Sequence, residues 1–410
     1  MGTREKKILA AGILAVAATA AACLGTAAFV SAKADSRMVR EEEGEPESRE
    51  NSFYGLETTP YTPPATAAAQ ETAPETAPLE TVSYVPETAV PLEEGNALSE
   101  EEAAAYLAEL VVDQNPTIYT YEDMEHDMKL WEKVFPQLIH IISIGKTFDG
   151  REIYDMVIGD SNSANHIMIN GAIHAREYMT AQLVMKQAAE FIKHPEENQK
   201  YLENTAIHVI PMINPDGVTI SQFGPDKLNN QETKDLVQVI GQLDGAKDME
   251  SYYRRWKSNA QGIDVNRNFD ALWEEYQGPD HPSADHYKGE AVGCVPESAA
   301  LIQLTNQYHF VRTVSYHTQG GVIYWYFGQD GELKAQTEAF AQAVSAATGY
   351  PMDANYEKLD PAGYKDWCIS KLGIPSLTIE VGRETSPVDP AQFAEVWNQN
   401  KDVWSVILDY

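Results

Sequence analysis

The stretch HIMINGAIHAREYMTAQLVMKQAAEFIKH, residues 166–194, decides the fold. HIMINGAI is a short apolar run, which predicts a strand buried on both faces. TAQLVMKQAAEFIKH then repeats its apolar residues at helical spacing, which predicts an amphipathic helix. Between them stand His174 and Glu177, three apart, where the apolar run gives way. Alone, that pair decides nothing. Given ordinary composition, His-x-x-Glu arises by chance about once in every couple of chains of this size.

The same alternation extends both ways. Upstream, YEDMEHDMKLWEKVF has helical periodicity and REIYDMVIG is rich in strand formers. Downstream, AIHVIPMI, VRTVSYHT, VIYWYFG and SLTIEVG read as strands, and ESAALIQLTNQYH, ELKAQTEAFAQAVSAATG, YKDWCISKLG and PAQFAEVW as helices. Nearly continuous apolar strands between amphipathic helices predict an α/β domain with a mixed, mostly parallel central sheet flanked by helices. In such sheets ligands sit outside the strand ends. Polar residues fall there repeatedly: His174 and Glu177 follow IMINGAI, His317 ends VRTVSYHT, and Glu380 lies within SLTIEVG. Asn266 and Arg267 lie in the loop-like GIDVNRNFD.

The chain has 410 residues, 43% of them hydrophobic, and a net charge of −32. Between Arg49 and Lys129 there is no Lys or Arg, while seventeen Asp and Glu lie from Glu50 to Asp127, so over half of that charge belongs to one segment. An acidic balance argues against nucleic acid as a partner, since phosphates need Lys and Arg clusters. The N-terminus carries Arg4, Lys6 and Lys7, then an uncharged run from Ile8 to Val30, then Ala32-Lys33-Ala34. These are the parts of a secretory signal, and the run is also long enough for an uncleaved anchor. Either way the remainder is expected to be exported, with membrane contact only through this segment.

Residues 35–98 are rich in Pro, Thr, Ala and Glu without apolar periodicity, which predicts an unstructured linker. As a coil it would span roughly 45 Å, and as a polyproline helix about 190 Å. The expected organisation is therefore 1–34 signal or anchor, 35–98 linker, 99–120 a lead-in helix capped by Ser99 and Glu102, and 121–410 the catalytic domain. Cys294 and Cys368 lack metal-ligand spacing and read as small buried residues.

Two His and one carboxylate plus an open position make a catalytic zinc site, because a water is left in place to be activated. A short-range pair fixes the metal to one loop and a distant third ligand closes the geometry. A second carboxylate is then needed as base. Taken singly, Glu380 could be a satisfied strand-end carboxylate, Arg267 an ion-pair partner and His317 a core histidine. Their joint order is the argument. GAIHAREYMT, GIDVNRNFD, SYHTQG and TIEVG, supported by SIGKTFDGREIYDMVIG, PMINPDG and CVPESAA, resemble the carboxypeptidase A-like zinc carboxypeptidase family from Tyr121 to the C-terminus.

The resemblance implies one Zn2+ per chain held by His174, Glu177 and His317. It implies Glu380 as the general base, which takes a proton from the zinc-bound water and passes it to the leaving amine. Asn266 and Arg267 match the pair that grips a substrate carboxylate, a task that suits a planar guanidinium. Two departures matter. Many members carry W-R-K-x-R before the Asn-Arg pair, the last Arg stabilising the oxyanion; here Ala260 stands in its place, leaving zinc alone or Arg254, Arg255 or Lys257. The family's mobile tyrosine is replaced by Lys358, with Tyr356 nearby as an acid or substrate contact.

RWKSNAQGIDVNRNF, SYHTQGGVIYW and GYKDW look more like the bacterial branch that cuts peptidoglycan stem peptides, the γ-D-glutamyl-diamino acid peptidases. In the wider family the residue fifteen before the base helps set specificity, and here it is Lys365. The resemblance implies that Lys365 attracts an extra carboxylate, such as that on the far end of diaminopimelate; its ordinary alternative is a solvated helix lysine. The other functions open to this sequence are a general carboxypeptidase releasing C-terminal amino acids, and an envelope-binding protein on an inactive peptidase scaffold.

Overall fold

The computed structural model describes residues 105–107, 110–114 and 118–410 apart from 355 and 357. The expected signal segment, the linker and the Ser99–Glu102 cap lie outside these residues. In place of a continuous lead-in helix, helical residues at 105–107 and at Val111–Gln114 are separated by non-helical Leu110. The buried Asp127 carboxylate fixes this segment, accepting from the Val111 and Val112 amides (3.3 and 3.2 Å) and the Tyr119 hydroxyl (2.7 Å). Leu107, Leu110 and Val112 thereby share one core with the domain they lead into.

Helix α1 (Tyr121–Val134) opens on a capping box in which Thr120 and Asp123 exchange side-chain and amide contacts, both 3.1 Å. Its buried Met124, Met128 and Trp131 follow the spacing of one helical face. Beyond it lie β1 (Ile139–Lys146), β2 (Glu152–Ile158), β3 (Asn165–Asn170), α2 (Met179–Lys193) and β4 (Thr205–Ile210). After a long excursion come α3 (Pro296–Gln307), β5 (Phe310–Thr318), β6 (Val322–Tyr324), α4 (Gly331–Thr348), β7 (Met352–Asp353) and β8 (Ser376–Val381).

The strands form one eight-stranded sheet in the order β1-β2-β4-β3-β5-β8-β6-β7. Four of its seven pairings are parallel, including the central run β4-β3-β5-β8. The antiparallel pairings lie toward the margins. Strand β1 has no counterpart among the strands read from sequence, because a bulge between Ser143 and Gly145 breaks its alternation and its edge position mixes polarity. VIYWYFG is a strand only as far as Tyr324. Beyond it the Gln329 side chain accepts from the Phe327 amide (2.6 Å) and donates to the Trp325 carbonyl (2.9 Å), supplying partners that a ladder otherwise would.

Strand alternation assigns the two faces. Ile167 and Ile169 of β3 pack into one core with α1, α2 and α4, while Met168 packs into the other with Leu301 and Leu304 of α3. Each such fully buried side chain contributes about 1.5–3 kcal/mol. On β5, Tyr316 faces the first core, so His317 faces the opposite side; on β8, Ile379 and Val381 do the same for Glu380. The chain leaves β3 for β4 on one side of it and then returns from β4 to β5 on the other. That switch point is where open α/β sheets place their ligands.

Candidate active site

The chain leaves β3 through Gly171, where an added Cβ would lie 3.1 Å from the Pro211 carbonyl and from the Thr180 backbone. This close approach lets Ala172 adopt φ 47° while its amide donates to Thr180 Oγ1 (2.7 Å), which in turn donates to the Glu177 carbonyl (2.8 Å). His174 then caps the 3-10 turn Ala175–Glu177. In such a turn residues three apart eclipse, so the His174 and Glu177 side chains leave on one side.

Three buried side chains converge there. His174 Nδ1 is 2.9 Å from Glu177 Oε1, and His317 Nδ1 is 3.0 Å from Glu177 Oε2 and 3.1 Å from His174 Nδ1. The Thr318 amide also donates to Glu177 Oε2 (3.1 Å). Burial opposes ionisation of Glu177, but the two imidazoles outweigh it and hold the carboxyl below its usual range. The same contact raises His317 despite burial. Two ring nitrogens and a carboxylate turned toward one point make a donor set of the zinc type. Their spacing suits it, since ligands on a tetrahedral ion with bonds of about 2.0–2.1 Å stand roughly 3.3 Å apart.

Glu380 comes to the same place from β8, half-buried, with Oε2 shielded and without a hydrogen-bond partner. Burial and the Glu177 charge push its carboxyl up to about 8, with His317 and Lys257 pulling the other way. A bound cation would draw it back down.

The sequence reading passed over Asp264, which lies two residues before Asn266. It is fully buried, with Oδ1 3.2 Å from His174 Nε2 and Oδ2 3.0 Å from Lys257 Nζ. A carboxylate behind a ligand histidine fixes its ring and tautomer, here leaving Nδ1 for the metal side. Burial opposes the charge on Asp264, yet Lys257 and His174 hold its pKa well below the ordinary value.

The triad and Glu380 open into a cavity of about 470 Å³, lined also by Asn266, Arg267, Lys257, Lys358 and Lys365. Of the three cations left open by the sequence, only Lys257 reaches it; Arg254 and Arg255 are exposed, and Ala260 packs with Ile220 and Trp256 in a separate core. Lys257 Nζ also lies 3.3 Å from Asp285 Oδ1. Arg267 is buried over the Tyr276 ring, and its NH2 lies 2.6 Å from Asp360 Oδ2. Asn266 Oδ1 accepts from the Tyr364 amide (2.9 Å).

Tyr356 is 57% exposed and does not line the cavity; its ring packs edge-on against Tyr326, which does. Lys365 is buried and bonded to Asp366, not a solvated helix lysine. Cys294 and Cys368 are both free.

Comparison with known proteins agrees with this geometry. The chain is 28% identical over 292 residues to γ-D-glutamyl-L-diamino acid endopeptidase 1 of Lysinibacillus sphaericus, covering 68% of this chain and 70% of that one. It is 25% identical over 260 residues to the human carboxypeptidase N catalytic chain, covering 59% and 50%. Among solved structures, the carboxypeptidase A of Helicoverpa armigera superposes with a TM-score of 0.58 at 18% identity, covering 75% of this chain and 80% of that one, which shows the shared fold. The zinc carboxypeptidase family model matches residues 124–403, a span that contains the sheet and every cavity residue above. The chain belongs to the zinc carboxypeptidase family: it is a metallopeptidase whose cofactor is one zinc ion.

Proposed function

We propose that this chain is an exported hydrolase of peptidoglycan stem peptides, cutting the amide between a γ-linked D-glutamyl residue and the diamino acid that follows. The observation that carries the reading is the likeness over 292 residues to an enzyme named for that bond. The cavity supports it, because its wall away from the metal triad carries Lys358, Lys365 and Asp366 rather than a purely apolar pocket. Export rests on the basic and apolar N-terminus.

His174, Glu177 and His317 would hold the zinc, which when bound would supply Lewis acidity and lower the pKa of water. Glu380, across from the triad, receives the proton that water gives up and returns it to the leaving amine as the amide bond breaks. Water thus adds hydroxyl to the glutamyl carbonyl and a proton to the released amine. Lys257, fixed between Asp264 and Asp285, presents its ammonium to the oxygen that gains charge. Asn266 and Arg267 hold a substrate carboxylate. That pair also favours a second reading, a general carboxypeptidase acting on linear peptides.

A mass-resolved digest of defined stem peptides and linear peptides, with and without a chelator, separates the two. Chelator-sensitive release of the diamino acid from γ-D-glutamyl peptides supports the proposal. Release of C-terminal residues from linear peptides alone transfers the enzyme to the general class. A purified protein without stoichiometric zinc, unchanged by Glu380→Gln, is the result expected of a non-catalytic binding protein.

A further inference from the structure

Away from the cavity, a row of titratable side chains crosses three strands. Asp155 of β2, His208 of β4 and His166 of β3 face the side of the sheet that carries Ile153, Ile210 and Met168, because Met156, Ile207, Val209 and Ile167 beside them face the other core. His208 Nδ1 lies 2.6 Å from Asp155 Oδ2, and His208 Nε2 lies 2.9 Å from His166 Nδ1. Asp155 and His208 are fully buried and His166 is nearly so. Tyr308 covers the two imidazoles at 4.6 and 4.7 Å between ring centres, and Phe310 closes on them at 5.9 and 5.0 Å. Hydrolysis beyond the far end of β3 uses none of these groups.

Counting protons decides what the row holds. A neutral imidazole has one N–H and one lone pair. The Asp155 carboxylate only accepts, so His208 Nδ1 carries a proton. His166 also hydrogen-bonds the Ser163 backbone in the sense that favours its charged form, so a carbonyl accepts there from His166 Nε2. With both outer nitrogens protonated, two neutral rings would set lone pair against lone pair at 2.9 Å. A third proton between them makes the contact a hydrogen bond. Its charge answers that of Asp155, whose Oδ1 is buried without a partner. Only two ring nitrogens turn toward one point here, since the carboxylate stands behind His208, so a proton suits the row better than a metal ion.

One charge is accommodated and a second is not. The titratable groups facing the pair are Asp155 from β2, and Tyr308 and His309 from the turn between α3 and β5. Strand β1 sets Ile142 opposite Asp155, and α3 packs Leu301 and Leu304 on this face. Burial, with His208 and His309 adding to it, pushes ionisation of His166 down to about 4 against the pull of Ser163 and Asp155. In the unfolded chain an ordinary histidine titrates near 6.5. The stability gained by keeping the second proton out is therefore complete above about 6.5 and is lost as pH falls toward 4.

We propose that Asp155, His208 and His166 form an acid-sensitive clasp, in which one shared proton ties β2, β4 and β3 together and a second proton opens the tie. The added proton turns one N–H···N bond into two N–H groups facing each other on two cations. The clasp holds β3, the strand that delivers His174, whichever peptide the enzyme cuts.

The test uses the full-length, zinc-loaded protein with isotope-labelled histidine. Ring-nitrogen spectra, in which coupling across the hydrogen bond identifies the pair, count its protons. Three are expected from about pH 7.5 down to about pH 5, and four below about pH 4. His166→Gln keeps an acceptor for His208 Nε2 and cannot take the second proton. Between about pH 7 and about pH 4.5 its thermal midpoint is expected to fall by several degrees less than that of the wild type. Two protons on the pair at neutral pH, or an equal loss of midpoint in the variant, overturns the proposal. So does a second zinc ion per chain that His166→Gln removes. If the variant does not fold, the proton count on the unaltered protein decides.

Discussion

His317 and Glu380 are register partners on the neighbouring parallel strands β5 and β8. Their backbones therefore stand about 4.8 Å apart, and both side chains leave the same face of the sheet. A metal-ligand candidate and a base candidate are thus set side by side by the ladder itself, not by a mobile loop. Glu380→Gln keeps the shape while removing the proton acceptor, so kcat is expected to fall by about 10²–10⁴ with zinc retained at one per chain. Steady-state rates together with metal analysis check this. A variant with normal kcat would transfer the base role to another group.

The triad predicts how metal loss is felt. With two ring nitrogens 3.1 Å apart and a carboxylate at 2.9–3.0 Å, the cluster could hold a cation, and removing that cation would withdraw its stabilisation. A ligand present at a hundred times its Kd stabilises by about 2.7 kcal/mol. Chelation is expected to lower the thermal midpoint and abolish hydrolysis, and stoichiometric zinc to restore both. In His317→Ala the chelator-dependent shift should vanish. A wild-type midpoint indifferent to chelator and to added zinc would count against the triad.

Lys257 is a buried cation lining the cavity, braced by Asp264 and Asp285. Lys257→Ala is expected to lower kcat by about 10²–10³, the usual loss for one oxyanion donor, with a smaller effect on KM. Lys257→Arg should recover part of it. Arg254→Ala and Arg255→Ala, at exposed positions, are expected to leave kcat within about twofold. Equal losses at all three positions would mean a diffuse field, not one placed charge.

How far this site was legible depends on where each residue stands. His174, Glu177, His317 and Glu380 interrupt apolar runs at strand ends, so sequence pattern alone makes them conspicuous. Asp264, Asp360 and Asp366 are acids in loops or at a helix start, indistinguishable in sequence from solvated ones. Their meaning comes from partners brought by the fold, as when Arg267 meets Asp360 across 93 residues. The parallel core of the sheet was legible from buried apolar strands, whereas β1, with its bulge and mixed exposure, carries no comparable signal.

Asp360 has a consequence for substrates. Its side chain is 66% exposed whereas that of Arg267 is 10% exposed, so an exposed acid pairs with a buried cation. A substrate carboxylate must exchange with it. Asp360→Asn is expected to lower KM about two- to fivefold for peptides ending in a free carboxylate, in line with the modest worth of a partly exposed ion pair. Peptides ending in an amide should be unaffected. A higher KM for the free acids would instead make Asp360 a positioning residue for Arg267.

The last prediction concerns pH and stability away from the cavity. Glu297, at the start of α3, is fully buried; Oε2 accepts from Asn259 Nδ2 (2.9 Å) and Oε1 has no partner. Burial, reinforced by Asp216 and opposed by Asn259, pushes its carboxyl up to about 7. In the unfolded chain an ordinary Glu titrates near 4.3. Below that pH the group is protonated in both states and costs nothing. As pH rises through 7 the folded state must bury the charge, so stability is lost across this window, on the order of 3 kcal/mol in all. Glu297→Gln keeps an acceptor for Asn259 and cannot ionise. Its thermal midpoint is expected to exceed that of the wild type by several degrees at pH 8, with the difference closing near pH 4.5. Denaturation of the zinc-loaded proteins at both pH values measures it, and a difference of equal size at the two would show that Glu297 is not the titrating group.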